Sequence, residues 1–318
     1  MATLLLLSYL LPYVSPKVFP SFAILNLLAP VLIIVNIIFA LYWLLGLKKQ
    51  FLLSLIILTL GWFIIPKVYK IYGNTDALND DIKVMSYNVR MFNRFKWIDD
   101  DIPKKIQEFV KEKSPDILLI QEYYNTNQEY FSYKYQYVKT KDANNNIGLA
   151  IYSKYPIINS GSLEFKNTAN NSIYVDILRN KDSIRVYNVH LQSLHLKTDK
   201  ENFGEENSEK LIIGLKEGFK KQATQTEVFL EHEKQWKGKK IIAGDFNNTS
   251  FSWVYNQISK NKKDAFIEAG KGFGKTFDYW FPMRIDFILT DNHANINQFT
   301  SFSEKNSDHF PILARINW

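Results

Sequence analysis

The chain has 318 residues, 46% of them hydrophobic, a formal net charge of +7 and no cysteine. This length accommodates one large domain with an additional segment, and the lack of cysteine excludes disulfides, thiolate metal sites and cysteine nucleophiles. The charge alone does not indicate a nucleic-acid binder. Five of the 39 Lys and Arg residues lie in the first 70 positions, and the other 248 residues carry 34 of them against 32 Asp and Glu. A domain that binds DNA phosphates usually has a stronger basic excess, so the charge of this domain does not favour nucleic acid as a partner, although it leaves that partner possible.

The first 70 residues contain no Asp or Glu, and their only charges are lysines at positions 17, 48, 49, 67 and 70. A bilayer core requires about 20 apolar residues in a helix. Two runs, about 20–47 and 50–66, are therefore predicted to be transmembrane helices, with a kink near Pro30. A shorter run at 3–14 is interpreted as a partial span whose start lies upstream of Met1, with an interfacial segment as the alternative. The alternative, that these are buried helices of a water-soluble protein, is disfavoured by the lack of carboxylates. The lipid bilayer is therefore a predicted partner of the chain.

The orientation in the membrane depends on few charges. Lys48 and Lys49 lie between the two spans and favour a cytoplasmic loop. Lys67 and Lys70 favour the opposite orientation, although a long domain crosses a membrane regardless of such charges. The sequence therefore predicts a multi-pass membrane protein with its C-terminal domain on the extracytoplasmic, periplasmic side.

Residues 71–81 are predicted to be a linker, and 82–318 a separate domain. Helical spacing of apolar residues predicts helices over 102–113 and 208–236, and the polar segment 195–207 predicts a surface insertion. Many short strands with few helices indicate an α+β sandwich of two sheets with helices outside. The predicted strands are 82–88, 117–121, 147–153, 173–178, 184–190, 241–245, 285–290 and 312–318.

Polar side chains stand at the ends of several of these strands, where loops present them at the rim of a sheet. Taken singly, each has a structural explanation, such as a turn, a helix cap or a structural histidine. A carboxylate after an apolar run such as 117–120 is nevertheless costly if it is buried without a partner, and a metal or a histidine is the usual partner. The candidate set is Asn88, Glu122, His190, Asp245, Asn247, Asp286, Asp308 and His309.

The motifs around this set are Tyr-Asn-Val at 87–89, Gln-Glu at 121–122, Gly-Leu-Ala-Ile-Tyr-Ser-Lys-Tyr-Pro-Ile at 148–157, Asn-Val-His-Leu at 188–191, Gly-Asp-Phe-Asn at 244–247, Arg-Ile-Asp at 284–286 and Ser-Asp-His-Phe-Pro at 307–311. Together they resemble the endonuclease/exonuclease/phosphatase superfamily, which includes DNase I, AP endonucleases, inositol-polyphosphate 5-phosphatases and neutral sphingomyelinases. The resemblance covers about 82–318, and the tethered arrangement resembles bacterial members with N-terminal hydrophobic helices. It implies a DNase I-like four-layer αββα sandwich preceded by transmembrane helices.

The resemblance also implies Mg²⁺ or Mn²⁺ as the cofactor. Glu122 is the implied main metal ligand, with Asn88 and Asp308 near the same ion or its waters, and hard oxygen ligands of this kind suit either metal. Whether one ion or two bind is left open.

The other five positions have implied catalytic roles. Asp245 would orient or deprotonate the attacking water, Asn247 and His190 would donate to the phosphate, and Asp286 would orient His309. Whether Asp245 or His309 is the general base stays open. A histidine at position 190, where AP endonucleases have a tyrosine, points towards the DNase I, sphingomyelinase and phosphatase branches.

The predicted function is a membrane-anchored, divalent-metal-dependent phosphoesterase that hydrolyses a phosphodiester or a phosphomonoester. Lipid-linked phosphates or phospholipid head groups are favoured, because the tether holds the site near the lipid plane. A tethered nuclease acting on DNA or RNA is the first alternative, and a catalytically inactive binding module is the second. The sequence contains no Gly-x-Ser-x-Gly or His-Glu-x-x-His motif, which disfavours a serine hydrolase and a zinc protease.

Specificity is expected to come from the loops 123–130, 195–207 and 270–281. For the aromatic residues of the last loop two interpretations are equally supported, a substrate groove or lipid contact on one side and core packing on the other. The sequence does not determine the substrate or the oligomeric state. These aromatic residues are Phe273, Phe277, Tyr279, Trp280 and Phe281.

Overall fold

The N-terminal segment is helical in the computed structural model, which describes residues 1–74, 76–126, 129–142, 145–194 and 205–318. Within these ranges no single helix is long and apolar enough to cross a bilayer, but two bent pairs meet the requirement by length and composition. One pair, Pro20–Leu27 with Ala29–Leu45, bends by 56°, and the other, Phe51–Leu60 with Trp62–Val68, bends by 48°. Helices α1 to α5 are Ala2–Leu10, Pro20–Leu27, Ala29–Leu45, Phe51–Leu60 and Ile65–Val68.

The first bend lies at Leu28, close to the kink predicted at Pro30. Pro30 stands in the first turn of α3. A proline costs no helical hydrogen bond there, because the first N–H groups of a helix have no partner within it. The bend thus separates a short helix, α2, from the longer α3.

The N-terminal helices are docked on the rest of the chain. α1, α3 and α4 contribute to an apolar cluster that Phe251 of the C-terminal domain completes. Asn256 donates a hydrogen bond to the carbonyl of Pro12 at 3.1 Å. Immediately before the predicted linker, Lys70 exchanges backbone hydrogen bonds of 2.8 and 2.9 Å with Gly272. These contacts fix the position of the helical segment relative to the domain.

The described residues of the C-terminal domain form two six-stranded sheets, ordered β11-β12-β1-β2-β4-β3 and β5-β6-β7-β8-β10-β9. Its helices α6 to α9 are Ile102–Lys113, Glu205–Glu233, Trp253–Ile258 and Ala265–Ala269. Its strands β1 to β12 are Ile82–Asn88, Ile117–Tyr124, Tyr135–Asp142, Asn145–Ser153, Ile157–Ser162, Asn171–Arg179, Asp182–His190, Lys240–Asp245, Lys262–Asp264, Asp286–Asp291, Asn295–Ser301 and Ile312–Asn317.

Alternation along the strands produces the layers of the domain. On β1, Val84 faces the second sheet within the central core, whereas Met85 and Tyr87 face outwards and pack with α6. Helices α7 and α8 cover the outer face of the second sheet, where Phe229 and Tyr255 are buried. Helices thus lie outside two facing sheets, and the predicted two-sheet α+β sandwich is confirmed.

Four strands were not predicted from the sequence, and they are the four edges of the two sheets: β11, β3, β5 and β9. Their sequences are polar, as in Asn-Ile-Asn-Gln-Phe-Thr-Ser for β11. An edge strand contacts a neighbour on one side only, and polar residues there prevent pairing with other chains. The apolar runs used for prediction therefore identified the interior strands alone.

Two predicted boundaries were wrong at the long helix. The prediction was 208–236, whereas α7 spans Glu205–Glu233 and ends in a turn in which the Trp236 N–H donates to the Glu233 carbonyl. Three residues of the predicted insertion 195–207 therefore belong to α7, and 195–204 lie outside the described residues. The polar composition that suggested an insertion is also compatible with the first turn of a helix.

Gly244 of β8 pairs with Val189 of β7, and its φ is +140°. A Cβ atom there would stand 2.0 Å from the carbonyl oxygen of Val189. We therefore expect Gly244→Ala to destabilise the domain by about 3 kcal/mol, which lowers the thermal midpoint by roughly 6–12 °C for a domain of this size. Circular dichroism of the full chain in detergent would measure this midpoint.

Gly214 provides the matched control, because a Cβ atom added there meets nothing within 4 Å. It lies inside α7, so alanine is expected to stabilise the helix by about 0.5–1 kcal/mol. A Gly244→Ala protein that melts at the wild-type temperature would contradict the close approach of β7 and β8.

Candidate active site

Neighbouring strand ends bring the polar residues together. β1 and β2 are parallel, and their register sets Asn88 beside the residue that precedes Glu122. β7 and β8 are also parallel, with His190 beside Asp245. On the other flank of β8, antiparallel β10 sets Asp286 beside Asp245. Within each sheet the register therefore places these side chains at neighbouring strand ends.

The side chain of Asn88 links the two sheets. Its Nδ2 donates to Glu122 Oε1 at 3.2 Å and to Asp245 Oδ2 at 3.1 Å. Its Oδ1 accepts the backbone N–H of Arg90 at 3.1 Å. Asn88 thus presents its donor group to the two carboxylates, and it positions Glu122. Direct ligation of a metal by its oxygen would require the amide to turn over.

His309 is held between two aspartates. Its Nδ1 lies 3.0 Å from Asp286 Oδ2, and its Nε2 lies 3.7 Å from Asp245 Oδ2. The Nε2 of His190 lies at the same distance from that oxygen of Asp245. Thr276 sets the start of β10, because its hydroxyl accepts the backbone N–H of Asp286 at 3.1 Å. A carboxylate at Nδ1 fixes the tautomer of an imidazole and leaves Nε2 for the reacting groups.

A β-bulge aims Glu122 at the same place. The pairing of β2 with β4 shifts register between Ile120 and Tyr123, and Glu122 has a φ of +50°. Bulges are a common device for re-aiming a side chain near a functional site. A glutamate in the left-handed region is strained, and such strain is retained where the surrounding structure requires it. Asn247, with a φ of +50°, is a second case in the same site.

Asp308 and Asn247 complete the set. Asp308 Oδ2 lies 3.4 Å from Arg90 Nε, and its backbone carbonyl accepts the N–H of Asp278 at 2.8 Å. The backbone N–H of Asn247 donates to Asp245 Oδ1 at 2.7 Å, and its Nδ2 donates to the carbonyl of Leu191 at 2.9 Å. All eight residues singled out from the sequence therefore lie in one connected group.

Burial and neighbouring charges set the protonation states of the group. Burial raises the pKa of Asp245 to about 8, against the opposing charge of His309. Burial alone would lower the pKa of His309, but the charges of Asp286 and Asp245 outweigh it and raise this pKa to about 10. Burial, reinforced by the charge of His309, lowers the pKa of His190 to about 3. His309 is therefore an imidazolium and His190 a neutral imidazole near pH 7.

The donor set fits a divalent cation. Ligand atoms of Asp245, Asp286 and His309 lie within 4.8 Å of one another. Both ring nitrogens of His309 face the two aspartates, however. We therefore interpret these three residues as a hydrogen-bonded group that carries a proton, and not as the metal ligands. Glu122 and Asp308 line an open pocket of about 120 Å³ beside His309. Burial raises the pKa of Glu122, and a carboxylate in that situation is stabilised by a cation. Carboxylate oxygens suit Mg²⁺ or Mn²⁺.

Several residues of the pocket were not found from the sequence. Leu27, at the end of α2, and Met283 line the pocket beside Phe277, one of the aromatic residues for which a substrate groove was one interpretation from the sequence. Arg90 contacts Asp308 and stacks over the ring of Trp97, with 4.1 Å from its Cζ to the ring centroid. Arg90 could have been found from the sequence, because it stands two residues after the candidate residue Asn88. For Leu27 the sequence contains no signal, because the contact depends on how α2 docks on the domain.

In comparisons with known proteins, the two parts of the chain match different families. Residues 1–68 match a family described as "Domain of unknown function (DUF8431)". Residues 85–309 match the Endonuclease/Exonuclease/phosphatase family. No curated protein matches the chain.

Solved structures share the fold of the C-terminal domain. A mannosyl-6-phosphatase from Bacteroides thetaiotaomicron is 16% identical, with a TM-score of 0.57, and the match covers 74% of this chain and all of that one. A conserved protein of unknown function from Enterococcus faecalis is 19% identical, with a TM-score of 0.55 and coverage of 74% and 99%. The human Nocturnin catalytic domain with bound sulfate is 16% identical, with a TM-score of 0.55 and coverage of 76% and 96%.

These identities establish a common fold and no more, whereas the family match spans most of the chain, including all eight candidate residues. The chain belongs to the Endonuclease/Exonuclease/phosphatase family, a family of hydrolases that act on phosphate esters.

Proposed function

We propose that the protein is a membrane-anchored, divalent-metal-dependent phosphoesterase that acts on a lipid-linked phosphate or a phospholipid head group. One observation carries the proposal. The pocket beside His309 is lined on one side by Glu122 and Asp308, and on another by Leu27 of the N-terminal helices. A phosphate at this site would thus lie against the hydrophobic segment of the chain.

Hydrolysis forms a bond between a water oxygen and phosphorus, breaks the bond to the leaving oxygen, and moves one proton from the water to the leaving group. The carboxylate form of Asp245 is suited to accept the proton, because a pKa raised to about 8 makes it a stronger base than an ordinary aspartate. His309, charged and oriented by Asp286, is suited to stabilise the phosphoryl oxygens and to donate a proton. Mg²⁺ or Mn²⁺ held by Glu122 and Asp308 would supply Lewis-acid stabilisation of the phosphoryl and leaving oxygens.

Two uncharged hydrogen-bond donors, His190 and Asn247, complete the proposed phosphate-binding site. His190 is a neutral imidazole on the far side of Asp245 from Asp286. Asn247 donates one amide hydrogen to Leu191, and we assign the other to a phosphoryl oxygen. Neutral N–H groups add hydrogen bonds without competing with the cation for the phosphate charge.

Membrane anchoring is supported by the apolar surface of the N-terminal helices. Ile38, Leu45 and Leu47 are 59%, 85% and 91% exposed, and the first 70 residues contain no carboxylate. A continuous apolar surface of this kind is costly in water and marks an interaction with lipid or protein. The two bent pairs of helices would then be broken spans.

We infer that the domain lies on the extracytoplasmic side. α2 and α5 contact the domain, so the turn between α3 and α4, which carries exposed Lys48 and Lys49, lies at the other end of the helices. Lys17, at the domain end, is paired with Glu227. An exposed pair of lysines in a short loop favours a cytoplasmic location for that loop.

A substrate panel tests the proposal. The full chain in mixed micelles is offered phosphatidic acid, a polyprenyl diphosphate, sphingomyelin and a supercoiled plasmid, with Mg²⁺ or with EDTA. We expect hydrolysis of at least one lipid with Mg²⁺, none with EDTA, and an intact plasmid. Nicking of the plasmid without lipid hydrolysis would identify a tethered nuclease instead. Loss of all activities in a protein that still binds Mn²⁺ would indicate a binding module.

A further inference from the structure

We propose that an apolar cleft between the N-terminal helices and segment 277–283 holds a hydrocarbon chain of the substrate while its phosphate occupies the pocket at His309. This inference rests on the proposed function and adds the place where the lipid part binds. The cleft, called the chain cleft below, has a volume of about 460 Å³. Its principal lining residues are Ile34 and Ile37 of α3, Leu58 of α4, and Phe273, Trp280 and Phe281 of the domain.

The lining of the chain cleft selects an apolar occupant. None of the described residues that line it is charged, and the only lining side chains with a polar group among them are Tyr9, Tyr69 and Trp280. A nucleotide or a charged peptide would lose its hydration there without gaining partners. Trp280, Phe273 and Ile34 are 76%, 51% and 56% exposed, and a hydrocarbon chain is the occupant that covers such side chains.

One segment of the domain contributes residues to both the chain cleft and the catalytic pocket. Phe277 and Met283 line the pocket at His309, whereas Trp280 and Phe281, between them in sequence, line the cleft. Ring contacts join the two places. The centroids of Phe277 and His309 are 5.0 Å apart. The ring centroids are 6.2 Å apart for Phe277 and Tyr279, 5.3 Å for Tyr279 and Phe281, and 4.7 Å for Phe281 and Trp280.

The N-terminal helices approach the pocket from the other side. α2 packs on α7 through a cluster that includes Ala23, Leu194 and Phe219, with Leu27 against it. Leu27 also lines the pocket. α2, which leads directly into the α3 wall of the chain cleft, thus contributes to the pocket. A lipid could therefore place its phosphate in the pocket and its chain in the cleft at once.

The expected benefit of the chain cleft is orientation of the substrate. A hydrocarbon chain gains little transfer free energy when it moves from lipid into an apolar cleft, because both surroundings are equally apolar. A chain held in one place nevertheless fixes the phosphate relative to Asp245 and His309, and fixed geometry lowers the barrier of the chemical step. Blocking the cleft should therefore reduce turnover of a long-chain substrate and leave a short-chain ester unaffected.

The test uses hexadecyl phosphate and butyl phosphate, or their methyl diesters if the enzyme is a diesterase. The full chain is assayed with Mg²⁺ in mixed micelles of fixed composition. Ile34→Trp fills the chain cleft, and Trp280→Ala removes one of its walls. Ile38→Trp is the matched control, because Ile38 lies one turn further along α3, is 59% exposed and is outside the cleft. Comparing variants on the same substrate cancels differences in micelle partitioning.

We expect Ile34→Trp to lower kcat/KM on the hexadecyl ester by about tenfold or more and to leave the butyl ester unchanged. Trp280→Ala should show the same selectivity, and it decides the question if Ile34→Trp does not fold. Ile38→Trp should alter neither substrate. Equal effects on both esters, or no effect on either, would overturn the chain cleft while the phosphoesterase function stands. A wild-type protein that hydrolyses neither ester nor any lipid of the panel would overturn the proposed function itself.

Discussion

His309→Ala is expected to lower kcat by about 10³-fold or more, because it removes both the cation beside the phosphoryl oxygens and the proton donor. Asp286→Asn is expected to cause a loss of similar size. An amide in place of the carboxylate 3.0 Å from Nδ1 would favour the wrong tautomer of the imidazole and lower its charge. The measurement is kcat of the full chain at saturating Mg²⁺ on whichever panel substrate it hydrolyses best.

Asp278→Asn is the matched control for these variants. Asp278 belongs to the segment beside His309, but its carboxylate is exposed and pairs with Lys275 at 3.0 Å. Its replacement should leave kcat close to the wild-type value. If His309→Ala kept kcat within about tenfold of the wild type, the role given to the Asp286–His309 pair would be wrong.

Glu122→Gln is expected to raise the Mg²⁺ concentration required for half-maximal activity by about 100-fold or more. Glutamine keeps the volume of the side chain, but it removes the negative charge that holds the cation. The carboxylate is positioned by the bulge in β2 and by the hydrogen bond from Asn88, so no other charge replaces it in the same place. Titration of activity with Mg²⁺ measures the effect.

Glu129→Gln tests whether any lost carboxylate has this consequence. Glu129 lies in the loop after β2 and is exposed, so its replacement should not change the Mg²⁺ requirement. An unchanged requirement in Glu122→Gln would remove Glu122 from the metal site and would leave Asp308 without its proposed partner.

The interior of the sandwich could be predicted from the sequence, whereas its edges could not. Strands such as β1 and β8 are buried on both faces, and their apolar runs distinguish them from the surrounding loops. β5 and β11 pair on one side only and carry the polar residues that such positions require. Their assignment depends on the neighbouring strand, which a local pattern does not contain.

The same distinction applies to the candidate site. Asn88 and Asp245 could be found because they end apolar strands within motifs that together resemble those of one family, and the structure joins them by a hydrogen bond. The contributions of Leu27 and Thr276 could not be found. Leu27 reaches the pocket only because α2 docks on α7, and Thr276 acts through the backbone of Asp286, ten residues later. Neither contact leaves a pattern in the sequence.

The central claim, a divalent cation held by Glu122 and Asp308 beside His309, is tested most directly by Mn²⁺ binding. Electron paramagnetic resonance of the full chain in detergent counts free Mn²⁺ and therefore measures the bound fraction without any substrate. We predict saturable binding to the wild type, binding weakened by about 100-fold or more in Glu122→Gln, and wild-type affinity in Glu129→Gln. Mn²⁺ that binds equally well to the wild type and to Glu122→Gln, or that does not bind at all, would contradict the metal site described above.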